Sequence, residues 1–167
     1  DRGVSGVGAL AAISTLYTHK TIEALEKDIA QADISMNLLA VDTNGDMGYF
    51  QTGLIPIRAH SGLFPVLGWK KEHQWKGFVP GEELHRIKNP KDDILVTANN
   101  LFNGKHMVIN LHMGEHRADR IKELLAAKPK YNVEDMKDIQ TDVYSKQAAD
   151  FMKFLGPVLQ KKKGNPL

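Results

Sequence analysis

Apolar positions along this chain change their period several times, and each change marks an element. The Ala/Leu/Ile-rich stretch from Val7 to Tyr17 predicts a short helix. Ile22, Leu25 and Ile29 recur at helical spacing and predict a second helix over Thr21 to Ala32, with Thr21 as its cap. Two apolar runs follow, Ser35 to Val41 and Met47 to Thr52, separated by Asp42-Thr43-Asn44-Gly45-Asp46. Asn and Gly adopt positive φ at little cost, so this spacing reads as a β-hairpin. Pro56, Pro65, Pro80 and Pro90 break the next stretch into loops and short strands, which Trp69 and Trp75 are expected to pack down. Ile94 to Ala98 reads as a strand leading into Asn99-Asn100, and His106 to Leu111 as another.

Ile121, Leu124 and Leu125 give a helix over His116 to Ala126, which Pro129 stops. Asn132 with Asp135 three residues later is a box-like helix start. Val133, Met136, Ile139, Val143, Phe151, Phe154 and Leu155 then predict one helix as far as about Leu155, ended or kinked at Gly156-Pro157. The order is α-α-β-β-loop-β-α-α, an α+β class. No repeat or linker divides residues 1–167, so they read as a single segment: 1–33 helical, 34–111 strands and long loops, 116–160 helical.

Composition narrows the partners. With 42% hydrophobic and 25% charged residues the 167-residue chain is of ordinary globular type. A net charge of +2 gives no expectation of nucleic acid, and Lys161-Lys162-Lys163 reads as a solvated helix end. The absence of cysteine excludes disulfides, thiol catalysis and Cys-ligated metals, and fits an oxidising compartment. No window approaches the ~18 apolar residues of a membrane span, so no membrane partner is expected. The N-terminus lacks the charged and apolar regions of a signal peptide.

The block from Asn37 to Phe102 carries the chemistry. Its pieces are NLLAVDTNGDMGY, TGLIPIR, the HSGLFPV-GW turn, the W-K-G-F-V-P-G-E-E-L run and VTANN. In that order and spacing they resemble the penicillin acylase family, N-terminal-nucleophile hydrolases that cleave amide bonds. The resemblance implies part of a four-layer αββα sandwich and, for the assembled enzyme, hydrolysis of an N-acyl amide. Substrates across the family include β-lactam side chains, acyl-homoserine lactones and lipopeptide acyl tails. It also implies a periplasmic or extracellular location and, as partners, the other α- and β-chain segments of one processed precursor plus a small-molecule N-acyl amide. The family's nucleophile is a Ser at the start of the large β chain, whose own α-amine is the base. Here position 1 is Asp1, and Ser5 and Ser14 lack the nucleophile's context. The expectation is therefore an interior β-chain segment, inert by itself and exposing apolar surface that its partner segments cover.

Site residues are implied the same way. Asn99, first of the Asn-Asn pair, matches the side-chain NH₂ donor of the oxyanion hole; a bare Asn-Asn would otherwise be a turn. Arg117, in HRADRIKELL, matches the arginine that orients that asparagine, with Arg120 the competing alignment. Met36 and Ile13 are candidate acyl-pocket walls. No cofactor is expected. Some relatives bind a structural calcium, but the matching turn here, His60-Ser61-Gly62, offers only a backbone carbonyl, and the later carboxylate position falls on Asn110 or His106. Asp42 to Asp46 opens like an EF-hand loop but has Met47 and Gly53 where Gly and Glu are needed. Two other readings stand beside the acylase: a non-catalytic relative of the same fold, and a zinc hydrolase built on His112, Glu115 and His116, an H-x-x-E-H pattern.

Overall fold

The computed structural model describes residues 6–101 and 114–162. The described chain forms two compact units, residues 6–95 and residues 96–101 with 114–162.

The first unit begins with α1 (Val7–Thr15) and α2 (Ile22–Ile29) and continues into the strands β1 (Asn37–Val41), β2 (Met47–Gln51) and β3 (Arg86–Lys88). The strands form one antiparallel sheet in the order β1-β2-β3. Thr21 caps α2, its hydroxyl accepting from the Ala24 N–H at 3.2 Å. The carboxylate of Asp42 organises the hairpin turn. Its Oδ1 accepts from the N–H groups of Asn44 (2.8 Å) and Asp46 (3.1 Å), and its Oδ2 from the Ile22 N–H at the start of α2 (3.3 Å). An anion belongs at a helix N-terminus, where unpaired N–H groups converge. The Asp-rich turn is therefore occupied by backbone hydrogen bonds, as a hairpin tip rather than a calcium loop.

Register explains which sheet face α2 covers. Phe50 pairs with Leu38 and Arg86, and Gly48 with Ala40 and Lys88, so these six share one face. Phe50 is fully buried there with Ile22, Leu25, Ile29, Ala32 and Ala12. A Cβ on Gly48 would lie 2.6 Å from the Phe50 ring, so glycine is what lets the ring fold back over its own strand. Glu26 of α2 reaches both Arg86 (3.4 Å) and Lys88 (2.8 Å) of β3, tying the helix across the sheet. On the opposite face the Tyr49 hydroxyl donates to Asn37 at 2.7 Å, and burial pushes its pKa up to about 12.

The proline-broken stretch is irregular, as its sequence predicts. It is held by backbone bonds between residues 55–57 and 76–79 and by a small cluster of Ile55, Val79 and Leu84. Trp75 packs edge-on against Phe78 at 6.0 Å with Arg58 over its ring. Trp69 does not pack: it is 80% exposed.

The second unit carries α3 (His116–Ala126), α4 (Val133–Gln140) and α5 (Lys146–Lys162), with α3 packed on α5. The capping box at Asn132 is present in both directions, at 2.9 and 3.0 Å. Two expectations are corrected here. Ile94–Ala98 forms no strand, since strand propensity needs a partner ladder and none of the described residues supplies one. The single helix expected to about Leu155 is two. Asp142 is drawn aside by Arg120, and the Ser145 hydroxyl accepts from the Ala148 N–H at 3.1 Å, starting a new helix that then runs through Pro157. The expected strand at His106–Leu111 lies outside the described residues. No helix among the described residues is long and apolar enough to cross a membrane.

Gly81 tests the packing most sharply, because a Cβ there would sit 1.9 Å from the carbonyl oxygen of Ala30 at the end of α2. Gly81→Ala should lower stability by about 1–3 kcal/mol in chemical denaturation. Gly68→Ala, where a Cβ meets nothing within 4 Å, should be close to neutral.

Candidate functional site

The site begins with three consecutive residues. Ala98 and Asn100 are buried, at 4% and 6% exposure, and Asn99 between them is exposed. Asn99 has φ 58°, in the left-handed region. Asparagine enters that region more readily than other side-chain-bearing residues. The buried Asn100 side chain closes the turn, its Oδ1 accepting from the Ala98 N–H at 3.1 Å.

The first turn of α3 supplies the second component. Gly114, at φ 75°, turns the chain so that the helix starts at His116. Ala118 is fully buried and seats that turn, while Arg117 beside it projects outward. An Arg117 Nη2 proton is donated to Asn99 Oδ1 at 3.2 Å. The two residues, 18 apart in sequence, are thus brought together. Guanidinium offers donors only, so it must face the carbonyl end of the Asn99 amide. The amide nitrogen, a two-proton donor, is left at the other end of the planar group.

Arg120, the alternative alignment, is engaged elsewhere. It makes a bidentate pair with Asp142 (2.9 Å to each oxygen), reaches Glu123 at 3.6 Å and stacks 4.7 Å over Tyr144. Lys146 also bonds Glu123. Arg120, Asp142, Tyr144 and Lys146 line an open cleft of about 600 Å³ together with Arg117, Ile121, Leu124 and Ile139. The Arg120 partnership holds the Asp142 carboxyl below its ordinary value, and Lys146 does the same for Glu123.

Met36 and Ile13 belong to the first unit. Met36 is half-buried, and its backbone is clamped to the end of β2: Thr52 Oγ1 accepts from the Met36 N–H (3.1 Å), and the Thr52 N–H donates to the Met36 carbonyl (3.0 Å). Gly53 permits this close approach, since a Cβ there would lie 2.8 Å from Ser35 Cα. Ile13 sits on α1 and is 42% exposed.

The helical spacing that an H-x-x-E-H zinc site uses is interrupted at Gly114, and His116 instead faces Asp150 at 3.7 Å. His112, Asn110 and His106 lie outside the described residues. Among the described residues no group of three His, Asp or Glu side chains could hold a metal ion. Sequence reading passed over Asn100 and Thr52. Their signal was a polar residue inside an otherwise apolar or turn-forming motif, at a position where burial is enforced by its neighbours.

Comparison with known proteins defines the class. The penicillin amidase family pattern matches residues 5–166. A penicillin acylase 2 proenzyme from Pseudomonas sp. (strain SE83) is 35% identical over 117 residues, 67% of this chain and 15% of that protein. A penicillin G acylase from Escherichia coli is 28% identical over 160 residues, 92% of this chain and 19% of that protein. Among solved structures, a thermostable penicillin G acylase from Alcaligenes faecalis superposes with a TM-score of 0.72 at 19% identity, covering 96% of this chain and 29% of that one. The fold is therefore α+β and similar to that of the penicillin G acylase. The chain belongs to the penicillin amidase family, and it spans under a fifth of the curated relatives' length.

The ion-pair network predicts an acid-sensitive second unit. A carboxyl whose folded pKa is depressed contributes stability above its unfolded pKa and loses it as pH falls through the folded value. Asp142 and Glu123, with ordinary values of 3.8 and 4.5, should therefore stabilise at neutral pH and stop doing so in acid. Asp142→Asn should lower the melting temperature near pH 7. Thermal melts across pH should bring variant and parent together well below pH 4.

Proposed function

We propose that this chain is a segment of an N-acyl amide hydrolase in which Asn99 is the side-chain donor of the oxyanion hole and Arg117 its orienting partner. The observation that carries this reading is the Arg117–Asn99 hydrogen bond. When a nucleophile attacks an amide carbonyl, the carbonyl carbon becomes tetrahedral and negative charge gathers on its oxygen. A donor aimed in advance at that oxygen lowers the barrier, because it need not reorganise as charge develops. Arg117 supplies the aim. By taking the Oδ1 end it prevents an amide flip and directs the Nδ2 protons away from itself. Its positive charge also polarises the amide, strengthening Nδ2–H as a donor.

The nucleophile, in this reading, is the N-terminal Ser of the large chain and comes with another segment of the same processed precursor. Its α-amine takes the hydroxyl proton during attack and returns it to the leaving amine, leaving an acyl-enzyme that water hydrolyses. Two observations support an incomplete assembly. The chain spans under a fifth of its curated relatives, one of which is a proenzyme. Large apolar side chains such as Tyr17, Phe64, Trp69, Phe151 and Phe154 are exposed. Met36 and Ile13 are assigned to the wall of the acyl pocket, the substrate is a small N-acyl amide, and the setting is periplasmic or extracellular.

In the assembled enzyme, Asn99→Ala should lower kcat by roughly 10²–10³-fold with KM little changed, as expected for loss of one oxyanion donor. Steady-state assay on a chromogenic acyl amide checks this; unchanged kcat would remove Asn99 from the oxyanion hole. The isolated chain should give no turnover, and reproducible hydrolysis by it would contradict the assignment of the nucleophile to another segment.

A further inference from the structure

The geometry points to Asn100 as a positioning residue for the same reaction, acting through the backbone of Asn99. This inference rests on the reading of Asn99 as the oxyanion donor. Asn99 is exposed and has a left-handed backbone, so among the described residues no packing of its own fixes where its side chain points. Arg117 fixes which end of the amide faces outward, but it too is an exposed side chain, and that one bond at 3.2 Å does not place the Asn99 backbone. The fixed point lies one residue further on. Asn100 is only 6% exposed, and its Oδ1 receives the N–H of the equally buried Ala98 at 3.1 Å. That bond runs backwards across Asn99, joining the residues on either side of it into a small closed ring. Within such a ring Asn99 has few choices of φ and ψ, and the left-handed conformation is held by its neighbours rather than by its own preference.

The chemistry needs this. An oxyanion donor works only if its proton meets the developing charge without rearrangement, and a misplacement of about 1 Å can cost on the order of 100-fold in rate. An apolar residue of Asn100's size would fill the same volume but leave the Ala98 N–H buried without its acceptor, which opens the ring.

The test is a double-mutant cycle in the assembled enzyme with an acyl-amide substrate, using Asn99→Ala, Asn100→Leu and the two combined. Asn100→Leu should lower kcat by roughly 10–100-fold with KM within about twofold. Combining it with Asn99→Ala should cost no more than Asn99→Ala alone, because a residue that acts only by aiming Asn99 has nothing to aim once the donor is gone. Asn100→Ser keeps a short acceptor for the Ala98 N–H and should recover part of kcat. It also serves as the reporting variant if Asn100→Leu does not assemble. Losses that add when Asn100→Leu or Asn100→Ser is combined with Asn99→Ala, or a kcat unchanged in Asn100→Leu, would overturn the positioning role while leaving Asn99 in place. A kcat unchanged in Asn99→Ala would overturn both readings together.

Discussion

A guanidinium group carries five N–H donors and no acceptor, and this asymmetry governs the candidate site. Arg117 can meet the Asn99 amide only at its oxygen, so one hydrogen bond settles which end of an otherwise symmetric-looking group faces outward. A lysine in the same place would be a more mobile point charge on a flexible stem and would hold the amide less firmly. The rest of the second unit serves this contact. Gly114 sets the start of α3, Ala118 buries its first turn, and the salt-bridge network of Arg120, Asp142, Glu123 and Lys146 holds α3 to the start of α5 and the segment before it. The two arginines three residues apart therefore divide the work: one is spent on the scaffold, and the other reaches Asn99.

The first unit rests on a different constraint, the fit of Phe50 beneath α2. Its ring lies over Gly48, under Ile22 and Ile29, and beside the Arg86 guanidinium. Glu26 then bridges Arg86 and Lys88, so the helix is held to the sheet by packing at the centre and by charge at the edge. The edge pairs are partly exposed and stabilise modestly; burying Phe50 and the three α2 side chains stabilises more. This arrangement also fixes the Asp42 turn, since Asp42 caps α2 from the hairpin.

Much of this was legible in the sequence, for reasons that differ by element. The helix α2, the hairpin and the capping box at Asn132 carry local signals: apolar spacing, an Asn-Gly turn and a reciprocal pair of side-chain bonds. The break between α4 and α5 was not legible, because Val133, Met136, Ile139 and Val143 keep helical spacing across it. What ends α4 is a tertiary event, the bidentate pull of Arg120 on Asp142. The strand expected at Ile94–Ala98 failed for a related reason: a short apolar, β-branched run shows that a segment suits a sheet, not that a partner is present. At the site, resemblance to a family singled out Asn99 and Arg117, with Arg120 the competing alignment; Arg117 bonds Asn99, and Arg120 pairs with Asp142. Asn100 escaped notice because a buried asparagine and a turn asparagine look alike in sequence.

The central claim is directional: the Asn99 amide presents its nitrogen, not its oxygen, to the reacting carbonyl. The most direct measurement is a crystal structure of the assembled enzyme with a boronic acid or phosphonate analogue of the tetrahedral intermediate bound. The account predicts Asn99 Nδ2 about 2.7–3.1 Å from the analogue's anionic oxygen, with Arg117 still on Oδ1. An analogue oxygen held by other donors, with Asn99 turned away or Arg117 detached from it, would contradict the account.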